Sequence, residues 1–341
     1  MAFSATRYIT LSLLVIPPIF LAAFFLAQFP SPPEAIPIYP SLASLPKDFR
    51  SWSVYPEDFY DGGAYASFPF GKVRYWMIGP PNGQKIVLIH GLSIPALVWK
   101  DIAPQLAKNG FRVLLYDLYG RGYSDAPQRP YDASLYTTQL ALLMQHVKWE
   151  NAHIAGLSMG GGIAAAFAAS FPNLCTNKIA LIASAGVMES NDFSRTSKVM
   201  SSPLVMSVVS SNLARMYMQR LGSNNPSTNP IQEIVQIQSA HLPGYNYALA
   251  SSLRDGPIRG LASSFAASAH RDILLIWGTD DRTVPYYYAA RLQALLPNAK
   301  LLTVDGAMHD VTLSHPEIVG EALVSFFKSG NVKGARSAQS S

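Results

Sequence analysis

From Lys72 onward, short apolar runs alternate with segments whose apolar residues recur at helical spacing. That rhythm predicts an α/β protein, with a mostly parallel sheet of about eight strands and helices on both faces. Strands are expected near Val73–Ile78, Ile86–His90, Val113–Asp117, His153–Leu157, Ile179–Ala183, Ile273–Trp277 and Leu301–Val304. The runs IVLIH, IALIA and ILLIW are apolar throughout, as central parallel strands must be when both faces are covered. Helices are expected at Val98–Lys108, Ser134–Trp149, Met159–Ser170, Tyr286–Leu296 and Glu317–Lys328.

Two stretches break the rhythm. Ile9–Phe29 is apolar and uncharged, follows Arg7, and is long enough to cross a bilayer as a helix. A cleaved signal peptide is the competing reading, but the run exceeds a usual signal core and no A-x-A site follows it. Pro17 and Pro18 would kink such a helix without forbidding it. The proline-rich Pro30–Pro46 then reads as a stiff, extended spacer. The second break, 186–270, shows no clear strand and holds Met188, Met200, Met206, Met216 and Met218. It is expected to be an inserted helical cap, its methionines either lining a pocket for varied apolar ligands or filling ordinary core. The expected organisation is an N-terminal membrane anchor at 1–29, a linker at 30–50, a core in two parts at 51–185 and 271–328 around the cap at 186–270, and a disordered tail at 329–341.

Composition sharpens the membrane reading, since 49% of residues are hydrophobic and only 14% charged. The net charge of +5 comes from scattered Lys and Arg with no basic stripe, which argues against nucleic acid as a partner. The single cysteine, Cys175, has no partner for an intramolecular disulfide and reads as a small buried hydrophobe.

The candidate chemistry starts at GLSMG, Gly156–Gly160, where a predicted strand meets a predicted helix. A turn that sharp strains the backbone at Ser158 and tolerates only small residues two positions before and after it. It also leaves the Met159 N–H at a helix start, aimed where an oxyanion would form. A serine hydroxyl needs a base, and the base needs an orienting acid. Downstream, WGTDDRTVP offers Asp280 and Asp281 after one strand, and VDGAMHDVTLSHPE offers His309 after the next. The order Ser, Asp, His is that of α/β-hydrolases.

On these motifs the stretch from Val73 to Phe327 resembles the α/β-hydrolase superfamily. The resemblance implies Asp281 as the acid, three residues after Gly278 and followed by Val284-Pro285, with Asp280 the weaker candidate. It implies His309 as the base, in a G-x-x-H loop starting at Gly306. IHGLSIPALVW is similar to the family's His-Gly segment, which implies the Leu92 N–H as second oxyanion donor and a bracing role for His90. DLYGRGYS, Asp117–Ser124, resembles the family's glycine-rich structural loop. Members that attack alkyl carbons carry aspartate where Ser158 stands, so acyl transfer is expected.

The expected function is a membrane-tethered serine hydrolase of carboxylic esters, resembling membrane-bound monoacylglycerol lipases in its anchor, linker and cap. Carbon-carbon bond hydrolases, haloperoxidase-like enzymes and acyltransferases share the triad, and a noncatalytic lipid-binding protein of this fold is the alternative of another class. No HExxH, Cys/His cluster, P-loop or dinucleotide fingerprint is present, so neither metal nor organic cofactor is inferred. The expected partners are a small apolar ester and, through the N-terminal helix, a membrane.

Overall fold

The computed structural model describes residues 5–28, 35–193, 195–209, 211–223 and 227–329. Two compact units result, 1–37 and 38–341. The first is a single helix, Ala5–Gln28, with Pro17 and Pro18 inside it and its side chains exposed from Tyr8 to Ala27. The second holds the eight-stranded sheet. Its chain begins at Ile38, inside the stretch whose prolines suggested a spacer. Ile38–Tyr39 pairs with Ala126–Pro127, and Leu42 is buried with its N–H donating to the Gly122 carbonyl at 3.0 Å.

The strands are β1 (Gly63–Phe68), β2 (Gly71–Ile78), β3 (Gln84–Ile89), β4 (Phe111–Tyr116), β5 (Ala152–Leu157), β6 (Cys175–Ile182), β7 (Asp272–Gly278) and β8 (Lys300–Val304). Their spatial order is β8-β7-β6-β5-β3-β4-β2-β1. β1 and β2 run antiparallel to their neighbours, and every other pairing is parallel. In β3, residues 86–89 are wholly buried, the physical counterpart of an uninterrupted apolar run. β1 is the strand that periodicity missed, because GAYASF is short in bulky residues and half exposed at the sheet edge.

Helix α1 is Ile102–Lys108, preceded by a separate 3₁₀ turn at Ala96–Trp99 rather than one continuous helix from Val98. Helix α2, Ala133–His146, starts on an Asp132 cap whose carboxylate accepts from the Leu135 N–H at 2.9 Å. It stops three residues short of Trp149 because Lys148 adopts a left-handed φ of 56°. Helix α3, Met159–Ser170, is mostly Gly and Ala and lies buried from Met159 to Ala168. Its small side chains allow that depth.

Between β6 and β7 the described residues form helices α4 (Arg195–Met200), α5 (Pro203–Val209), α6 (Asn212–Ser223), α7 (Pro230–His241), α8 (Tyr245–Asp255) and α9 (Ala262–Ala267). After β7 and β8 come α10 (Tyr287–Leu295), a short turn α11 (Val311–Ser314) and α12 (Pro316–Lys328). The C-terminal end of α12 is capped by the buried Lys178 ammonium, which donates to the Phe326 carbonyl at 2.7 Å. Of the expected tail, only Ser329 lies within the described residues.

The central strands carry the stability of this architecture. Truncating Leu88 to alanine in β3 should cost about 2–5 kcal/mol. A lowered urea midpoint with an unchanged slope checks it.

Candidate active site

The C-terminal ends of the parallel strands lead into the segments that carry Leu92, Ser158, Asp281 and His309. β5 delivers Ser158, whose backbone sits at φ 56° and ψ −120° before α3 begins. A β-carbon on Gly156 would fall on the Gly160 carbonyl, and one on Gly160 would fall on the carbonyls of Ile89 and His90. Strand and helix can meet this closely only through glycine. The turn is pinned by the Ser158 N–H donating to the Ile182 carbonyl at 2.9 Å, while the Ser158 carbonyl accepts from Gly161 and Ala185.

The loops after β7 and β8 are tied together. Thr279 N–H donates to the Val304 carbonyl, Asp280 N–H to the Ala307 carbonyl, and Gly306 N–H to the Thr279 hydroxyl at 2.8 Å. This lacing aims His309 at Asp281. The Asp281 carboxylate is buried, and its Oδ1 accepts from the N–H groups of Thr283 and Val284 at 2.8 and 2.9 Å. Its Oδ2 lies 2.7 Å from His309 Nδ1, and His309 Nε2 lies 2.9 Å from Ser158 Oγ. Asp280 is exposed and lies outside this chain of bonds. Trp277 braces the acid loop by donating its indole N–H to the Val284 carbonyl.

Leu92 and Met159 flank the serine. A β-carbon on Gly91 would lie 3.4 Å from Ser158 Cβ, so the segment entering Leu92 passes directly beside the elbow. Among the described residues, the Leu92 and Met159 N–H groups are both left free of protein acceptors.

The residues that hold the Leu92 segment are buried and polar. His90 is fully buried, its Nε2 accepting from the Leu118 N–H at 2.8 Å and its Nδ1 donating to the Gly91 carbonyl at 2.9 Å. Burial lowers its pKa to about 3, so the ring is a neutral brace. The Asp117 carboxylate joins the two loops, accepting from the Ala96 N–H and the Tyr123 N–H, both at 2.8 Å. Burial pushes Asp117 up to about 6 against those donors.

Sequence reasoning missed Arg121. Its guanidinium is wholly buried and bonds the Leu92 carbonyl at 2.8 Å, the Tyr136 hydroxyl of α2 and the Ser252 hydroxyl of α8 at 2.9 Å. The only signal was a charged residue inside a glycine-rich loop, which reads equally well as solvated surface.

Above Ser158 opens a cavity of about 490 Å³, within the range of small-molecule sites. Ile94, Leu157, Met188, Phe193, Leu253 and Ile258 make much of its wall, and Asp192, Arg282 and Asp310 add charge to its lining. The Tyr288 hydroxyl, with that of Tyr287 and the Glu189 N–H, holds Asp192 below the usual carboxylate range. Of the five methionines between 186 and 270, Met188 lines the cavity, Met206 is buried and Met216 is exposed; the side chains of Met200 and Met218 lie outside the described residues. Among the described residues no group of His, Cys, Asp or Glu is placed to hold a metal ion.

Residues 86–322 match the family model described as "Alpha/beta hydrolase family". A non-heme chloroperoxidase of Streptomyces lividans is 27% identical over 278 residues, covering 74% of this chain and 94% of that protein. An enol-lactonase structure from Burkholderia xenovorans LB400 superposes with TM-score 0.64 at 23% identity, covering 78% of this chain and 100% of the other. A membrane phospholipase A structure, described as a bacterial virulence factor, does so with TM-score 0.63 at 22% identity, covering 95% of this chain and 98% of the other.

The neutral brace has a pH signature. The folded pKa of His90 lies below its unfolded value, so between pH 6.5 and about 3 the unfolded chain binds the extra proton and stability falls as pH falls. Asp117, shifted upward, acts in the opposite sense between about pH 4 and 6. His90→Asn should lose about 1–3 kcal/mol at neutral pH by unpairing the Leu118 N–H or the Gly91 carbonyl. It should also flatten the acid-side decline relative to the parent, measured by urea unfolding from pH 7 to 4.

Proposed function

The chain belongs to the alpha/beta hydrolase family, and from that premise we propose that it is a membrane-tethered serine hydrolase of carboxylic esters with apolar acyl groups. The observation that carries the reading is one imidazole within hydrogen-bond reach of both a hydroxyl and a buried carboxylate: His309 with Ser158 at 2.9 Å and Asp281 at 2.7 Å. In this reading His309 Nδ1–H donates to Asp281, which leaves Nε2 to accept the Ser158 proton. Ser158 Oγ attacks the acyl carbonyl as its proton passes to His309, and the Leu92 and Met159 N–H groups stabilise the oxyanion. Collapse breaks the ester C–O bond, and the His309 proton leaves with the alcohol. Water, deprotonated by the same imidazole, then attacks the acyl-enzyme and releases the acid and the free serine.

The apolar wall supports an apolar acyl group, with the charged lining residues left for the more polar end of the substrate. The helical segment between β6 and β7 acts as the cap, since Met188, Phe193, Leu253 and Ile258 of the cavity all come from it. The names of the enol-lactonase and the phospholipase A agree with ester chemistry.

For the tether, Tyr8–Ala27 is apolar and long enough to span a bilayer. The likeness to the membrane phospholipase A covers 95% of the chain, more than the roughly nine tenths that 38–341 supplies.

Ser158→Ala should lower ester turnover by at least about 10⁴-fold and abolish fluorophosphonate labelling, with binding of the substrate retained. Undiminished turnover would refute the role of Ser158. A panel of short aryl esters, long-chain glycerides, lysophospholipids and diketones defines the substrate class. Separately, the full-length chain should stay in the membrane pellet through alkaline carbonate extraction; its release into the supernatant would reject a spanning helix.

A further inference from the structure

Helices α4, α5 and α6 of the cap turn apolar side chains outward. Val199 is 57% exposed, Leu204 81%, Val208 66%, Leu213 80%, Met216 63% and Tyr217 65%. Isolated exposed apolar residues are ordinary, but a run of this kind on three successive helices marks an interaction surface. The spacing is specific: Leu213, Met216 and Tyr217 stand at i, i+3 and i+4 on α6, and Leu204 and Val208 at i and i+4 on α5, so each helix presents one apolar stripe. The side of α6 that faces the protein is fixed separately, through the Gln219 amide donating to the Ala240 carbonyl at 3.0 Å. The helix is therefore amphipathic with its apolar stripe in water.

We propose that this face docks on the surface of an anionic lipid bilayer. The charge pattern selects that occupant. From Arg195 to Ser223 the chain carries Arg195, Lys198, Arg215 and Arg220 and no Asp or Glu. Apolar stripes with the exposed Arg195, Lys198 and Arg220 beside them suit an anionic lipid interface, while the half-buried Arg215 lies on the Gln219 side of α6. A second copy docking through the same face would bring like charges together. The apolar helix Tyr8–Ala27, where it spans a membrane, would tether the same chain to a bilayer.

The face adjoins the cavity. Phe193, which lines it, precedes α4 by two residues, and Ser201, between α4 and α5, accepts from the Arg254 guanidinium beside the cavity residue Leu253. Lipid held there lies next to the opening above Ser158. The docking itself does not rest on the reaction proposed for Ser158; it draws on the tether only for proximity.

The test uses the full-length chain with Cys175→Ser, carrying Tyr217→Cys or, as control, Lys300→Cys at the opposite end of the sheet. Each is labelled with an environment-sensitive fluorophore. The chain is mixed with vesicles of brominated phosphatidylcholine and phosphatidylglycerol. The proposal expects strong quenching at 217 and little at 300, with the 217 signal weakening as salt is raised or phosphatidylglycerol is omitted. Equal quenching at the two positions, or none at 217, overturns it whether or not the chain floats with the vesicles. Loss of quenching at 217 together with cross-links between copies there would assign the face to a second copy instead. None of these readouts requires turnover, so they remain informative if Ser158 proves to have another role.

Discussion

A strand that must reverse into a helix within one residue governs the working end of this molecule. β5 reaches Ser158 buried on both faces, and α3 starts at the next residue, so the chain has no room for a loop. The left-handed backbone at Ser158 is the geometric outcome. It costs on the order of 1–3 kcal/mol and persists only because the surroundings leave no alternative. The bonds to Ile182, Gly161 and Ala185, and the contact of Gly156 with Gly160, supply that over-determination. The same turn places the Ser158 side chain at the C-terminal end of β5 and leaves the first N–H of α3 without a protein acceptor, so both features have one structural origin.

The remaining parts are positioned by buried polar groups rather than by close packing alone. His90, Asp117 and Arg121 occupy a stratum beneath the Leu92 segment, and each bonds main-chain atoms of at least one neighbouring loop. A buried ion is costly when unpartnered, and no carboxylate meets the Arg121 guanidinium in its set of bonds. Carbonyl and hydroxyl oxygens take its protons instead, with the rings of Tyr131 and Tyr136 nearby. Such an arrangement tolerates little displacement, because each acceptor lost leaves charge uncompensated.

Much of this was legible in the amino-acid order. Seven of the eight strands were expected from the sequence, the central parallel ones most plainly, because a strand covered on both faces has no polar side to show. The elbow was legible because steric exclusion restricts residue choice at 156 and 160. Positions just after strands singled out Asp280, Asp281 and His309, and the resemblance to the family's Gly-x-x-Asp and Gly-x-x-His segments favoured Asp281 and His309. The edge strand β1 was not legible, since half-exposed pairing puts weak demands on side chains. Arg121 was not legible because its acceptors come from Leu92, α2 and α8, distant in the chain and brought together only by the fold. The early joining of the body at Ile38 was hidden by prolines, which mark extended chain without telling a free spacer from a short edge pairing.

The bonds of Arg121 divide the cap into two mechanical regimes. α8 is fastened through Ser252 to the same guanidinium that holds the Leu92 carbonyl, so a shift of α8 is felt at the Leu92 segment. No described bond runs from α4, α5 or α6 to that guanidinium. Remodelling of those three helices leaves the bonds that hold the Leu92 segment and the Ser158 turn in place. On the function proposed above, substrate range and reaction chemistry would fall to separate stretches of one polypeptide, with residue 121 standing at their border.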